Sequence, residues 1–247
     1  MDLGLNGKRA AVAAASTGLG YACAEALAAE GVRVAICGRD KARIDEAAAK
    51  IGPNAVPLVA DVSTTAGATA FVEAAHQALG GLDILVTNGG GPPPGDFAST
   101  PLDAYAGAVE LNLLAVVAMC YAAVPAMQAQ GWGRVVAITS IAVRQPRADL
   151  ILSNTARTGA TGFLRTLARE VAKDGVTVNS VLPGIHATAR MADLYPSMAE
   201  AARGVPRGVV GDPDDFGQVV AFLCSEQARH VTGVALQIDG GTYAALL

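Results

Sequence analysis

Short apolar runs alternate with longer amphipathic segments along the chain. The runs end in Gly, Asn, Asp or Ser, and their Ala, Val, Leu and Ile content is typical of strands that are buried on both faces. The longer segments repeat apolar residues at helical spacing. We therefore predict an α/β fold, a single domain over 1–247 built on a doubly wound sheet of about seven parallel strands. The predicted strands are Lys8 to Ala15, Val32 to Cys37, Ala55 to Ala60, Leu82 to Thr87, Arg134 to Thr139, Val176 to Leu182 and Leu236 to Ile238. The predicted helices are Ala22 to Glu30, Lys41 to Ile51, Ala66 to Leu79, Leu102 to Met127 and Leu150 to Val171.

Composition narrows the class of partner. Apolar residues make up 52% of the chain and aromatic residues 4%, so the core must be aliphatic. A net charge of −4 without a lysine or arginine run argues against nucleic acid and anionic membranes as partners. The longest apolar run, Leu113 to Met127, is too short to span a bilayer and contains Pro125, so we interpret it as a buried helix.

The four cysteines are scattered through apolar segments, so we interpret them as core residues and expect no metal site. Their pattern and the start Met1-Asp2-Leu3, which lacks a basic and apolar leader, favour a reduced cytoplasmic protein. The cysteines are Cys23, Cys37, Cys120 and Cys224.

A glycine turn follows the first predicted strand. The sequence Ser16-Thr17-Gly18-Leu19-Gly20 leads into a helix, and this order directs helix N-terminal N–H groups at a phosphate. An ordinary strand-to-helix turn that contains glycine is the alternative. We predict a nucleotide-binding turn.

The ends of the second and third strands suggest how an adenosine would be held. Arg39 directly follows the second strand, where an arginine suits a ribose 2′-phosphate, so NADP is favoured over NAD. Asp40 is better interpreted as the cap of the next helix. Asp61 can receive the adenine amino group, and Ser63 or Thr64 can cap the helix that follows.

Polar and glycine residues also follow the later strands. Asn88-Gly89-Gly90-Gly91 comes after the fourth strand and allows close backbone contact with a ligand, although a rigid loop is the alternative. Asn112 is a lone polar residue in an apolar helix, where it holds a water or bends the helix. The segment His186 to Gly211 has no strand pattern, and we predict a mobile lid over a substrate pocket.

Taken together, these motifs resemble the short-chain dehydrogenase/reductase family over nearly the whole chain. The family implies a Rossmann sheet, a nicotinamide cofactor and hydride transfer between a carbonyl and an alcohol, with a 3-oxoacyl compound as one candidate substrate. It also implies a homodimer or a homotetramer formed by two helices, those that contain Asn112 and Gly159 to Gly162. The motifs are the Ser16 to Gly20 turn, Asp61-Val62, Asn88, Asn112, Ser140, Val178-Asn179, Pro183-Gly184 and Asp239-Gly240-Gly241.

The resemblance implies roles at single positions. Ser140 would bind the substrate oxygen and Asn112 a proton-relay water. Ile185 and Thr188, after Pro183-Gly184, would hold the nicotinamide carboxamide. The predicted cofactor-binding residues are Ser16, Thr17, Gly18, Leu19, Gly20, Arg39, Asp61, Val62, Asn88, Gly89, Gly90, Pro183, Gly184, Ile185 and Thr188.

The chain departs from the family at two places. Ala13 and Ala14 stand where the family usually has Thr-Gly, and Ser153 and Arg157 stand where it has its Tyr-x-x-x-Lys pair. Ser153 and Arg157 are four residues apart and share one helix face. Some family members carry a similar Ser-Asn-x-x-Arg stretch with a glycine-proline turn.

The second departure removes the usual proton donor. A serine hydroxyl is a far weaker acid than a tyrosine hydroxyl, whose pKa starts near 10, and arginine is a poor proton shuttle. His186 and Tyr195 are the candidate replacements within the chain. We therefore predict an NADP-dependent oxidoreductase with Asn112, Ser140, Ser153 and Arg157 at its catalytic site. A nucleotide-binding regulator without redox turnover and a non-redox lyase or isomerase are the alternatives.

Overall fold

Seven parallel strands form the central sheet of the computed structural model, which describes residues 1–190 and 195–246. Their order across the sheet is β3-β2-β1-β4-β5-β6-β7, so the chain runs outward from β1 in both directions. This is the predicted doubly wound arrangement. The strands are β1 (Arg9–Val12), β2 (Arg33–Gly38), β3 (Ala55–Val59), β4 (Ile84–Thr87), β5 (Gly133–Ile138), β6 (Val176–Pro183) and β7 (Ala235–Ile238).

Helices cover both faces of the sheet. One apolar cluster lies under α1 and α7, and a second lies under α3, α4 and α5. The helices are α1 (Gly18–Ala29), α2 (Lys41–Ile51), α3 (Thr65–Leu79), α4 (Ala104–Ala129), α5 (Ile151–Val171), α6 (Met198–Ala202) and α7 (Pro213–Cys224). Both clusters are aliphatic, as the composition predicts, and all four cysteines are free and buried within them. The prediction that they are core residues is confirmed.

The structure departs from the sequence prediction at the end of the first strand and at one helix. The first strand ends at Val12 and not at Ala15, because the chain turns at Ala14, whose φ is +48°. The helix Pro213–Cys224 was not predicted. Its start carries a local signal, since the Asp212 side chain caps it and Pro213 occupies its first turn.

The helix α4 is the one described helix that is long and apolar enough to cross a membrane. It is longer than the apolar run Leu113 to Met127 alone. The core helix of a globular protein passes the same test, and α4 packs against α3 and α5. Only 39% of its most apolar window is buried, so a large apolar face remains on the surface.

The segment predicted as a lid, His186–Gly211, lies partly outside the described residues, since 191–194 belong to it. Its two ends are joined by backbone hydrogen bonds between Ala187 and Gly211 at 2.9 Å and between Gly211 and Ile185 at 2.8 Å. Ala201 and Val205 are buried, so the second half of the segment is packed onto the domain.

Candidate active site

The turns that follow β1 to β6 meet at the carboxyl edge of the sheet and enclose a cavity of about 930 Å³. Open α/β sheets bind ligands at this edge, where the strand order reverses. Most of the predicted site residues line the cavity, while Gly20 and Asn112 do not. The predicted residues that line it are Ser16, Thr17, Gly18, Leu19, Arg39, Asp61, Val62, Asn88, Gly89, Gly90, Ser140, Ser153, Arg157, Pro183, Gly184, Ile185 and Thr188.

The glycine turn brings the N-terminus of α1 to the cavity. Gly18 begins the helix with a φ of +65°, a conformation that suits glycine. A Cβ on Gly20 would lie 2.7 Å from the Ala14 carbonyl oxygen, so Gly20 allows helix and strand to approach closely. Ala14 occupies the family's glycine position and is the one described non-glycine residue with a positive φ.

The adenosine end has the predicted polar groups. Arg39 is exposed at the end of β2, and the Asp40 side chain accepts a hydrogen bond of 3.0 Å from the Arg43 amide. That bond confirms Asp40 as the helix cap. The hydrogen bonds of Ser63 to Asp61, with the nearby Arg39 charge, hold the pKa of the Asp61 carboxyl below its usual value. Asp61 is therefore an acceptor at neutral pH.

Asn112 supports the glycine loop from behind. It lies in the π-helical turn Glu110–Leu114 within α4, and its Nδ2 donates a hydrogen bond of 3.0 Å to the Gly90 carbonyl. Its Oδ1 is buried without a hydrogen-bond partner among the described residues. A π turn commonly marks a functional position in a helix. Asn112 thus lies where the helix widens and offers an acceptor that a water can satisfy.

Two serines line the cavity. Ser140 follows β5, and its Oγ accepts a hydrogen bond of 3.1 Å from the Ala142 amide, which leaves the hydroxyl hydrogen for a ligand. Ser153 is a buried residue in the first turn of α5. Both can bind an oxygen atom of a substrate.

Arg157 is anchored by backbone carbonyls. Its Nη1 donates to Ile138 and Thr139 at 3.1 and 3.0 Å, and its Nη2 lies 3.5 Å from the Gly90 carbonyl. Burial, with the charge of Arg190, lowers the pKa of the Arg157 guanidinium to about 10, so it remains charged at neutral pH. Arginine has five N–H donors, so Arg157 keeps donors for a ligand.

The two candidate proton donors have different surroundings. The His186 ring is buried edge-on against Phe216, with centroids 5.1 Å apart, and burial lowers its pKa. His186 is the first residue of the predicted lid. Both residues line the cavity, and the Tyr195 hydroxyl lies 3.0 Å from Nη1 of Arg147.

Two arginines of the cavity wall were not among the predicted site residues. Arg147 precedes α5 and forms an ion pair with Asp149, with Nη2 and Oδ2 2.7 Å apart. Arg190 lies opposite the glycine loop, 3.4 Å from the carbonyls of Gly91 and Pro92. The position of Arg147 between Ser140 and α5 could have indicated that it lies near the site. Tyr195 was a candidate proton donor, but no local pattern predicts its hydrogen bond with Arg147.

Residues 13–243 match the family model described as enoyl-(acyl carrier protein) reductase. The chain is 31% identical to the 3-oxoacyl-[acyl-carrier-protein] reductase FabG of Vibrio cholerae, over 98% of this chain and 99% of that protein. The chain belongs to the short-chain dehydrogenase/reductase family. The suspected family membership and the Rossmann-like fold are confirmed.

Further relatives in this family span the full chain. Dehydrogenase/reductase SDR family member 4 of Homo sapiens is 32% identical over 98% of this chain and 90% of its own length. The L-sorbose reductase of Gluconobacter frateurii, complexed with NADPH and L-sorbose, superposes with a TM-score of 0.94 at 31% identity and covers 100% of both chains. The relatives are reductases, which supports an oxidoreductase.

Proposed function

We propose that this protein is an NADP-dependent oxidoreductase that interconverts a carbonyl and an alcohol, with a non-standard catalytic pair. One observation carries the proposal: a single cavity joins the phosphate-binding turn at Gly18 to the substrate-oxygen site at Ser140. The NADPH-bound sorbose reductase structure, similar over the whole chain, supports the same cofactor here.

The cavity has residues that suit the pyrophosphate and the 2′-phosphate of NADPH. Gly18 opens the helix N-terminus toward a pyrophosphate, and Arg39 offers a charge to a 2′-phosphate. When bound, NADPH supplies the hydride that reduces a carbonyl carbon. Ser140 and Ser153 hold the carbonyl oxygen by hydrogen bonds. Arg157 places a fixed positive charge where that oxygen gains negative charge or where the cofactor ribose lies.

Cofactor binding is measured first, by titration of NADPH and NADH fluorescence with the purified protein. We expect NADPH to bind more tightly, and Arg39→Ala to weaken NADPH but not NADH by about 10- to 100-fold, since a charged hydrogen bond contributes about 1.5–3 kcal/mol. Arg43→Ala, an exposed arginine of α2, is the matched control. Absence of binding at millimolar NADPH overturns the proposal.

Turnover is measured second, by oxidation of NADPH over a panel of ketones and aldehydes. The panel includes a 3-oxoacyl thioester and a ketose, the substrate classes in the names of FabG and sorbose reductase. We expect at least one carbonyl compound to be reduced. Tight NADPH binding without oxidation across the panel would favour the alternative, a nucleotide-binding protein without redox turnover.

We also propose that two copies associate through α4 and α5, as a homodimer or within a homotetramer. Gly159 already packs against α4 of its own chain, since a Cβ at this position would lie 3.1 Å from Cδ2 of Leu113. Gly162 faces open space, and Tyr121 and Leu114 of α4 are exposed. Light scattering should give a multiple of the 24.8 kDa chain mass, and Tyr121→Asp should lower it. A monomeric wild type would contradict this proposal.

A further inference from the structure

The cavity contains a tyrosine–cation pair that is separate from Ser153 and Arg157. Tyr195 and Arg147 are 48 residues apart, and Nη1 of Arg147 donates a hydrogen bond of 3.0 Å to the Tyr195 hydroxyl. Both residues line the cavity that also contains Ser140 and Ser153. A phenol beside a cation is the chemical arrangement that a carbonyl reductase of this family needs and that Ser153 and Arg157 cannot supply.

Arg147 is fixed in place by its own contacts. Its Nε and Nη2 donate to the Asp149 carboxylate at 3.0 and 2.7 Å, while Nη1 is directed to Tyr195. The hydrogen bond to Asp149 raises the pKa of the Arg147 guanidinium, so this group stays charged. These contacts therefore place a cation beside the Tyr195 hydroxyl.

The pair is also tied to the catalytic helix. Asn154, the residue after Ser153, donates a hydrogen bond of 2.7 Å from Nδ2 to the Arg147 carbonyl. This bond fixes the backbone of Arg147 relative to the helix turn that contains Ser153. The Ser-Asn-x-x-Arg stretch thus contributes an oxygen-binding hydroxyl, an anchor for Arg147 and a half-buried cation.

We propose that Tyr195 is the proton donor of the reaction and that Arg147 is the positioning residue that stabilises its phenolate. The inference rests on the proposed reductase function. As hydride adds to the carbonyl carbon, the C=O π electrons move to the oxygen. The Tyr195 O–H bond then breaks, its proton forms the new O–H bond of the alcohol, and the phenolate takes a proton from solvent.

The competing donor within the chain is His186. Its ring lies against Phe216, and Gly211 approaches it so closely that an added Cβ would lie 2.6 Å from the ring carbon Cδ2. Its Nδ1 lies 3.4 Å from the Gly184 carbonyl. Both residues line the cavity, but the His186 ring packs against Phe216 and Gly211, whereas the Tyr195 hydroxyl is hydrogen-bonded to a cation.

The test compares Tyr195→Phe with Tyr21→Phe, which removes another hydrogen-bonded tyrosine hydroxyl outside the cavity. We expect Tyr195→Phe to lower kcat by about 100-fold or more, the usual contribution of a positioned acid. The NADPH dissociation constant and the unfolding temperature should stay unchanged, and Tyr21→Phe should keep kcat. Equal kcat in Tyr195→Phe and wild type overturns the inference.

Arg147 is tested by Arg147→Lys and Arg147→Gln. The lysine variant keeps a cation, and the glutamine variant loses it, so only Arg147→Gln should move the alkaline limb of the pH–rate profile upward. A readout without turnover is the ¹³C resonance of the hydroxyl-bearing ring carbon, assigned among five tyrosines by its loss in Tyr195→Phe. It should shift in Arg147→Gln. An unmoved resonance and an unmoved profile would overturn the role of Arg147.

The two proposals fail in different ways. A wild-type protein that does not bind NADPH, or binds it without reducing any carbonyl, contradicts the proposed function. A wild-type protein that reduces carbonyls while Tyr195→Phe is equally active leaves the function standing and removes Tyr195 as the donor. In that case His186→Phe is the next variant, and its loss of turnover would assign the proton to the buried ring.

Discussion

Asn154 donates a hydrogen bond of 2.7 Å to the carbonyl oxygen of Arg147 and so joins α5 to the segment that leads into it. The bond spans seven residues and closes the turn between Ser140 and α5. The other polar side-chain atom of Asn154, Oδ1, is buried without a hydrogen-bond partner among the described residues. Such an atom costs free energy in the folded protein unless a water or ligand satisfies it.

Asn154→Ala should therefore impair catalysis more than stability. Loss of the bond costs about 1 kcal/mol, partly offset by removal of the buried Oδ1, while the displaced Arg147 should reduce kcat. Denaturant unfolding and NADPH oxidation measure the two effects. Thr155→Ala removes only a hydroxyl bonded within the helix to the Ile151 carbonyl and should be near neutral in both. A normal kcat in Asn154→Ala would contradict the anchoring role.

Arg157→Met should destabilise the protein. The Ile138 and Thr139 carbonyls lose their Arg157 donor, and each unsatisfied buried group costs about 1–3 kcal/mol. NADPH binding should weaken as well, because a cation is lost from the cavity. Arg169→Met replaces an exposed arginine of the same helix and should leave the unfolding free energy within about 0.5 kcal/mol of wild type. Equal stability of the two variants would show that the carbonyls do not depend on Arg157.

Ala14→Gly should stabilise the protein. A left-handed conformation costs a non-glycine residue roughly 1–2 kcal/mol, and glycine loses about 0.5–1 kcal/mol through chain entropy. The expected net gain is about 0.5–1 kcal/mol in the free energy of unfolding. Ala13→Gly is the matched control, because Ala13 has no positive φ and should only lose stability. A loss at both positions would mean that the turn relaxes without strain at Ala14.

The buried His186 should make stability depend on pH. Burial lowers its pKa in the folded state, so the unfolded chain binds the proton more tightly. The contribution of His186 to the free energy of unfolding is therefore fully present above its pKa of about 6.5 in the unfolded chain. This contribution is lost as the pH falls from there toward the lower pKa of His186 in the folded protein. His186→Phe keeps a ring of similar shape without a titrating group.

Unfolding by denaturant at pH about 7.5 and about 5.5 checks this prediction across the unfolded pKa. The loss of stability between the two values should be smaller in His186→Phe than in wild type. His76→Phe, at an exposed histidine of α3, should keep the wild-type difference. An identical pH dependence in all three proteins would show that His186 titrates equally in the folded and unfolded states.

Local sequence signals predicted most of the fold. Each buried strand is a short apolar run that ends in a polar residue or glycine, so β2 was predicted to within one residue. Helical spacing predicted α2 correctly at both of its ends. The Asp40 cap was predicted correctly for the same reason, because a cap contacts an amide three residues away. The early turn at Ala14 was not predicted, since an alanine run carries no sign of a left-handed residue.

The cavity wall shows where local reasoning ends. Ser16, Asp61 and Ser140 follow strand ends and could be predicted from sequence to line one site. Parallel strands place their carboxyl ends along the same edge of the sheet. The π turn at Asn112 depends on how α4 packs, and neither the orphaned Oδ1 nor the bond to Gly90 has a local signature.

The sequence alone predicted which turns line the cavity, and it places Ser153 and Arg157 where the family resemblance expects a tyrosine and a lysine. Only the tertiary structure decided what stands in the same cavity. It buried His186 against Phe216 and brought Tyr195 to Arg147 across 48 residues. The physical reason is that strand and cap signals act over a few residues. The meeting of two distant side chains depends on how the predicted lid packs onto the sheet edge.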